Sequence, residues 1–292
     1  MELINRKDID IKKWDDAIEN SAIENIFMYS WYLDSVCKNW SALVTKNYST
    51  ILPVPFSKKV GVKQFIQAPF TREYDILGNE FSWKEAVLFL SKSFKSIHFR
   101  NEDGNLFQEA TTRSHQWLNL KSDFEANYST NAKRILKKSG TFSLEKNTNP
   151  DIVINLFIEN VAHKVDSISK QDLVCLKNLM TISLAKKTGE LLIVKENNII
   201  VAAGFFLFDK KRVTYLKGAS TESAKKSGAM YFLINNAMQL YKSKFDTFDF
   251  GGSDIDKVAE FYHKFGAEDR IYYDYFINDL PLWFKTIQKL KR

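Results

Sequence analysis

Two spacings of hydrophobic residues divide the second half of this chain into helices and strands. Apolar residues that recur every three or four positions indicate helices, and short apolar runs bounded by turn residues indicate strands. Helices are predicted at 151–165, 170–187, 228–241 and 255–265. Strands are predicted at 190–195, 199–208, 212–219, 245–250 and 270–277, with a hairpin turn at Asn197 and Asn198.

The first half shows a looser version of the same order of elements. Its helices are predicted at 12–20, 29–37 and 81–94, and its strands at 41–46, 51–56, 62–69, 96–99 and 116–120. The first three strands and their turns favour an antiparallel meander. A polar and basic segment follows, so the predicted organisation is one domain at 1–125, a basic bridge at 126–145 and a second domain at 146–292.

The stretch FDTFDFGGSDIDKVAEFYHKFGA, residues 245–267, is the most informative part of the sequence. In it a strand runs into two glycines and a serine, and the following helix ends at a glycine. Upstream, the strand at 212–219 leads through a basic loop at 225–229 into the helix at 228–241. A strand, a crossover helix and a second parallel strand place ligands at the carboxyl ends of the strands.

Composition and charge narrow the possible partners. Of the 292 residues, 45% are hydrophobic and 26% are charged, which is typical of a folded protein. The net charge of +7 fits anionic partners, among them coenzyme A, nucleotide-linked sugars, RNA and anionic membranes. Cys37 and Cys175 lie far apart, so we expect neither a disulfide nor a metal site. We see no signal peptide or transmembrane segment and expect a cytoplasmic protein.

Four stretches of the sequence resemble the tandem-GNAT, FemAB-like proteins common in Bacteroidetes. They are 50–70, 127–139, 228–253 and 258–268, which read TILPVPFSKKVGVKQFIQAPF, NYSTNAKRILKKS, GAMYFLINNAMQLYKSKFDTFDFGGS and VAEFYHKFGAE. The resemblance implies an α/β fold with mixed sheets and two GNAT-like domains in tandem, of which the first is degenerate. It also implies acyl-CoA, such as acetyl-CoA, as a co-substrate, and no metal.

The resemblance further implies a donor site in the second domain alone. Tyr262, four residues before Gly266, would protonate the departing thiolate, although its helical spacing is equally typical of a core tyrosine. The segment 225–229 would hold the pyrophosphate, although Met230 departs from the family pattern. Backbone amides near the end of the strand at 212–219 would bind the pantetheine and polarise the thioester carbonyl. The predicted cofactor-binding residues are Leu216, Lys217, Gly218, Lys225, Lys226, Ser227, Gly228 and Ala229.

The acceptor has separate candidate residues. His163 and Asp254 are the candidate bases for an amine acceptor: His163 lies at the end of the predicted helix 151–165, and Asp254 lies just past the carboxyl end of the strand at 245–250. Ser253, Lys164 and Arg134 are the candidate substrate contacts. Arg134 also belongs to a basic helical stripe, a pattern that is typical of a solvated helix face.

Three functions remain open at this point. The first is transfer of an acyl group from acyl-CoA to an amine acceptor. The second is the reaction of the FemAB group, with an aminoacyl-tRNA donor and a cell-wall precursor as acceptor; the chain lacks the long coiled-coil insertion that those enzymes often carry. The third is a catalytically silent GNAT-like binding module, which the departure at Met230 favours.

Overall fold

The computed structural model describes residues 1–161, 168–251, 255–284 and 286. They form two compact units: unit 1 is Met1–Arg113 with Ile271–Arg292, and unit 2 is Ser114–Arg270. Helices and strands alternate along the chain and the sheets are mixed, so the predicted α/β class is confirmed.

The described residues contain nine α-helices and twelve strands. The helices are α1 Ile11–Glu19, α2 Ser30–Val36, α3 Trp83–Leu90, α4 Thr130–Lys137, α5 Asp151–Asn160, α6 Lys170–Lys186, α7 Glu222–Ser227, α8 Ala229–Tyr241 and α9 Asp256–His263. The strands are β1 Glu2–Asn5, β2 Trp40–Val44, β3 Ile51–Lys59, β4 Val62–Phe65, β5 Ser96–Asn101, β6 Thr111–Asn119, β7 Phe142–Asn147, β8 Gly189–Glu196, β9 Ile199–Phe208, β10 Arg212–Ser220, β11 Thr247–Asp249 and β12 Glu268–Asn278.

Unit 1 is built on the strand order β1-β2-β3-β4-β5-β12. Strands β1 to β4 are antiparallel neighbours, which confirms the predicted meander. Strand β5 runs parallel to β4, and α3 makes the crossover between them. A capping box of Ser82 and Glu85 begins α3. The ring of Trp83 then stacks on Phe99 at 4.0 Å between centroids, which fixes α3 on the sheet.

Unit 2 is built on the strand order β6-β11-β10-β9-β8-β7. Strands β7 to β10 are antiparallel, β11 is parallel to β10, and β6 is antiparallel to β11. The crossover between β10 and β11 is α8, whose Leu233, Ile234 and Ala237 are fully buried. Helix α8 therefore covers one face of the sheet, and α5 packs against β9 and β10.

The segment 126–145, predicted as a bridge, lies within unit 2. It contains α4, whose Ala132 is fully buried, and the first part of β7, which pairs with β8. The backbone N–H of Ser129 also donates to the carbonyl of Lys264, at 3.0 Å. The segment is rich in lysine and has few apolar residues, so its composition predicts a solvent-exposed bridge, whereas its apolar residues are part of the core of unit 2.

Candidate functional site

Strands β10 and β11 run side by side for a short distance and then separate. They pair in parallel only at Arg212, Val213 and Thr214 of β10. Beyond Thr214, β10 continues to Ser220 with β9 as its partner on one side. On the other side, residues 215–220 have no partner strand within the described part of the chain. We call this side the free edge of β10.

A β-bulge lies at the point where the strands separate. Tyr215 and Lys217 of β10 face consecutive residues of β9, Phe206 and Phe205, so Leu216 is an extra residue in β10. Side chains two apart on a regular strand point to the same face. Because of the bulge, the ring of Tyr215 lies among the residues beneath α8, whereas the side chain of Lys217 reaches α5 on the opposite face.

The free edge presents backbone N–H groups. Directly after β10, the N–H of Thr221 donates to the carbonyl of Val201 on β9, at 2.9 Å. Successive N–H groups of a strand point to alternate edges, so those of Lys217 and Ala219 also point towards β9. The N–H groups of Gly218 and Ser220 therefore point to the free edge. Of the predicted backbone donors, Gly218 has the required direction, and Ser220 is a second donor that the sequence did not indicate.

Tyr262 lies beside this edge. Its ring is 4.8 Å from that of Phe250, which follows β11, and 6.5 Å from that of Tyr215, measured between centroids. The side chain is 7% exposed, and its hydroxyl forms no hydrogen bond to any residue that the structure describes. Burial and the negative charge of Asp249 raise the pKa of Tyr262 well above its usual value. The phenol is therefore protonated at neutral pH and has a proton to donate.

A polar contact holds the end of α9, and with it Tyr262. His263 Nε2 lies 3.1 Å from Asp269 Oδ1, and Gln116 Nε2 donates to the same oxygen at 2.7 Å. The hydrogen bond from Gln116 and the contact with His263 lower the pKa of Asp269. These contacts connect the last turn of α9, which carries Tyr262, to β6 through Gln116 and to β12 through Asp269, all within unit 2.

The predicted basic loop at 225–229 is largely helical, which corrects the prediction. Lys225, Lys226 and Ser227 form the last turn of α7, because the Thr221 side chain caps its first turn and Gly228, at φ 92°, ends it. The three side chains are exposed. Helix α8 starts directly afterwards at Ala229, and no side chain caps the N–H groups of its first turn.

Helix α4 packs beside this point. A Cβ atom at Gly228 would overlap Ile135 Cγ2 of α4, so packing as well as backbone conformation requires glycine there. Arg134, on the same helix, is exposed and donates to Asn131 Oδ1 at 3.0 Å. Arg134 is thus an exposed cation, with Lys133 and Lys137, on the helix that contacts the start of α8.

Four of the predicted site residues, His163, Lys164, Ser253 and Asp254, lie outside the described residues. The part of the chain that the structure describes contains no group of three or more His, Cys, Asp or Glu side chains placed to hold a metal ion. Nor does any described helix combine the length and the apolarity needed to cross a membrane.

Comparison with solved structures shows which proteins share this fold. FemX is 11% identical with a TM-score of 0.67, over 95% of this chain and 98% of FemX. A tandem GNAT protein from the clavulanic acid biosynthesis pathway is 9% identical with a TM-score of 0.54, over 96% and 99% of the two chains. L-PGS from Bacillus licheniformis is 15% identical with a TM-score of 0.55, over 95% of each chain.

These identities are low, so the comparisons establish the fold. The predicted resemblance to tandem-GNAT, FemAB-like proteins is confirmed at that level, as is the prediction of two GNAT-like halves. The sequence itself matches no protein-family model and is not significantly similar to any curated protein.

Proposed function

We propose that this protein is an acyltransferase that moves an acyl group from acyl-CoA to an amine acceptor, with its active site in the second domain. The observation that carries the proposal is the free edge of β10, with two outward N–H groups beside a buried tyrosine that has no hydrogen-bond partner among the described residues. Backbone donors at such an edge suit a pantetheine amide and a thioester carbonyl.

The start of α8 supports coenzyme A as the donor. An uncapped helix N-terminus favours a phosphate, and the exposed Lys225 and Lys226 add positive charge. Ser227 and Ala229 complete the predicted pyrophosphate segment, and Arg134 would meet a phosphate from α4. Coenzyme A when bound supplies the activated thioester; this chain supplies the groups that hold it.

In the proposed reaction, each group has one role. The acceptor nitrogen attacks the thioester carbonyl carbon while the N–H of Gly218 stabilises the oxyanion. The C–N bond forms, the C–S bond breaks, and the thiolate takes a proton from Tyr262. The acceptor nitrogen loses a proton as the amide forms, and because burial raises the pKa of Tyr262, the phenolate left by the transfer regains a proton readily.

The alternative donor is an aminoacyl-tRNA, with a cell-wall precursor as acceptor. The similarity to FemX, over 98% of its length, favours this reading within the same fold. Arg134 and the lysines of α7 would suit the phosphates of an RNA as well as those of coenzyme A. The cytoplasm, where both donors occur, is the compartment that we propose.

Thermal-shift measurements with acetyl-CoA, longer acyl-CoAs and bulk tRNA separate these donors. We expect an acyl-CoA to raise the melting temperature, because a ligand that binds only the folded state stabilises it. Stabilisation by tRNA alone would favour the alternative donor. Protein that responds to none of them, and that transfers no acyl group in a single-turnover assay, would be the silent module.

A further inference from the structure

The side chain of Lys217 carries an inference beyond the backbone role predicted for this residue. Its Nζ atom lies 3.8 Å from the centroid of the Phe157 ring of α5, and Phe157 is 1% exposed. Among the described residues, no carboxylate or hydrogen-bond acceptor lies against this amine. A half-buried lysine that rests on an aromatic ring is unusual, because buried ammonium groups are normally paired with an anion.

The bulge in β10 explains how Lys217 comes to be there. Without the extra residue Leu216, Lys217 would share a face with Tyr215 and Gly218 would point to the other side. With it, Gly218 lies against Tyr215, and the amine of Lys217 emerges on the face that α5 covers. The outward N–H of Gly218 and the side chain of Lys217 are thus neighbours in the chain, at the point where β10 and β11 separate.

The surroundings of Lys217 contain few charges. Strand β9 has no ionisable residue, and α8, behind the sheet, has only Tyr231 and Tyr241. On α5, Asp151 pairs with Lys177 and Glu159 is exposed. On β11, Asp249 lies beside Thr214, the last paired residue of β10, and is 3.7 Å from Arg212. Burial alone lowers the pKa of Lys217, to about 8.

We propose that Lys217 is the catalytic base of the transfer reaction, which takes the proton from the acceptor amine; this inference rests on the proposed function. The neutral amine of Lys217 accepts a proton from the acceptor nitrogen as the C–N bond forms. The thiolate released from the C–S bond takes a proton from Tyr262. One proton thus passes overall from nitrogen to sulfur, and exchange with solvent restores both side chains.

The sign of the pH dependence follows from this role. The active form of Lys217 is the neutral amine, so kcat/KM rises with pH through about 8, the pKa of Lys217. Lys217→Met keeps an unbranched side chain of nearly the same length and removes the titrating group, so this part of the profile disappears. Lys217→Arg keeps the charge but stays protonated at every pH of the assay.

The test combines these variants with a direct titration. Competitive labelling of the wild type with acetic anhydride, read by mass spectrometry, is expected to give Lys217 an apparent pKa near 8, whereas titration at about 10.4, as in a model peptide, would overturn the proposal. We expect Lys217→Met and Lys217→Arg to lower kcat/KM by about 10²-fold each. Lys195→Met, which removes a lysine of β8 paired with Glu145, is the matched control with unchanged kcat/KM.

The outcomes distinguish the base from the function on which it rests. Full activity of Lys217→Arg would assign the residue a charge role and overturn the base. Loss of the contact with the Phe157 ring should cost Lys217→Met no more than about 2 kcal/mol, so a larger loss of stability would point to a structural role. A wild type that turns over no acyl-CoA would instead contradict the proposed function and, with it, the reaction that the base serves.

Discussion

Each half of the chain contains a parallel pair of strands, β4 with β5 in unit 1 and β10 with β11 in unit 2. The two pairs differ in what bonds to the strand edge beyond the last paired residues. In unit 1, β4 pairs with β5 only at Gln64 and Phe65. Beyond this point the chain itself bonds to β5: Gln67 Oε1 accepts from the N–H of Arg100 at 3.1 Å, and Tyr74 N–H donates to the Arg100 carbonyl at 3.2 Å.

In unit 2, the edge of β10 that faces β11 has no such neighbour among the described residues beyond Thr214. The chain after β10 forms α7 and α8 at once. The residue after β11 bonds to β6 instead of β10: the N–H of Phe250 donates to the Gln116 carbonyl at 3.0 Å. In unit 1 the protein itself thus fills the space beside the parallel pair, whereas no described residue pairs with the edge of β10 in unit 2. This contrast supports the proposal that the donor binds in unit 2.

The largest expected effect tests the role of Tyr262. Tyr262→Phe keeps the ring beside Phe250 and removes only the hydroxyl, so we expect kcat to fall at least about 10-fold, since general acid catalysis contributes up to about 10²–10⁴-fold. The melting temperature should stay constant, because the hydroxyl has no hydrogen bond to a described residue. Steady-state kinetics and thermal unfolding give both values.

Tyr241→Phe is the matched control. Its hydroxyl donates to Glu190 Oε2 at 2.9 Å in the same core, so its loss should cost about 1 kcal/mol of stability and leave kcat unchanged. If Tyr262→Phe behaved like this control, with full activity and reduced stability, Tyr262 would be a core residue.

The next effect concerns the start of α8. Lys225→Ala combined with Lys226→Ala should weaken acyl-CoA binding by about 1–3 kcal/mol, through loss of one or two charge-assisted hydrogen bonds. Isothermal titration calorimetry measures the change. The pair Lys210→Ala and Lys211→Ala, exposed in the turn before β10, removes the same charge elsewhere and should change the affinity little. An equal loss of acyl-CoA affinity in both double variants would show that the net charge of the protein, and not a contact at Lys225 and Lys226, causes the change.

The third prediction tests whether His98 and Arg100 of β5 stabilise the fold through their contacts with Asp274 of β12. Burial acts to raise the pKa of Asp274, but the hydrogen bond with His98 and the charges of His98 and Arg100 outweigh it and lower the pKa to about 2. The unfolded carboxyl titrates near 3.9, so this stabilisation is complete well above pH 4 and is lost as the pH falls towards 2. We expect a loss of up to about 2 kcal/mol in the free energy of unfolding.

Urea unfolding between pH 6 and pH 2 measures this loss. Asp274→Asn should flatten the dependence over the acidic range, because the variant lacks the titrating carboxyl. A profile with the same slope in the variant and the wild type would show that other carboxylates dominate the acid response.

The smallest effect tests the filled edge in unit 1 directly. Gln67→Met preserves the approximate shape of the side chain but removes its two backbone hydrogen bonds, to the N–H of Arg100 and the carbonyl of Thr71, which should cost about 1 kcal/mol of stability each. Donor affinity should not change. Gln171→Met, on the exposed surface of α6, is the control for the substitution itself. Weaker acyl-CoA binding in Gln67→Met alone would place the donor site in unit 1.

Periodicity predicted much of this fold, because the order of elements after residue 150 depends on local spacing. It predicted the crossover α8 and the strands β8 to β10, and the hairpin turn shows positive φ at Asn197 and Asn198. The short strand β7 was missed, since its residues Glu145 and Lys146 make it look like a polar segment. The sequence predicts a loop where α7 lies, because a helix of only six residues that ends at Gly228 is too short to show a periodic apolar pattern.

The candidate site was less accessible to sequence reasoning. The resemblance to a known family indicates Tyr262. The bulge at Leu216 depends on the register between β10 and β9, which the sequence of one strand alone does not predict. For that reason Lys217 was considered only for its backbone, and Ser220 was not considered at all. Strand register and the outward direction of N–H groups are properties of pairs of strands.

The central claim is that an acyl donor binds along the free edge of β10. Hydrogen–deuterium exchange with and without the acyl-CoA that gives the largest thermal shift tests it most directly. We predict slower exchange at Gly218 and Ser220 and in the first turn of α8, with no change at Arg100 and Asn101 of β5. Protection at β5, with exchange at Gly218 and Ser220 unaffected by a donor that does bind, would contradict the account.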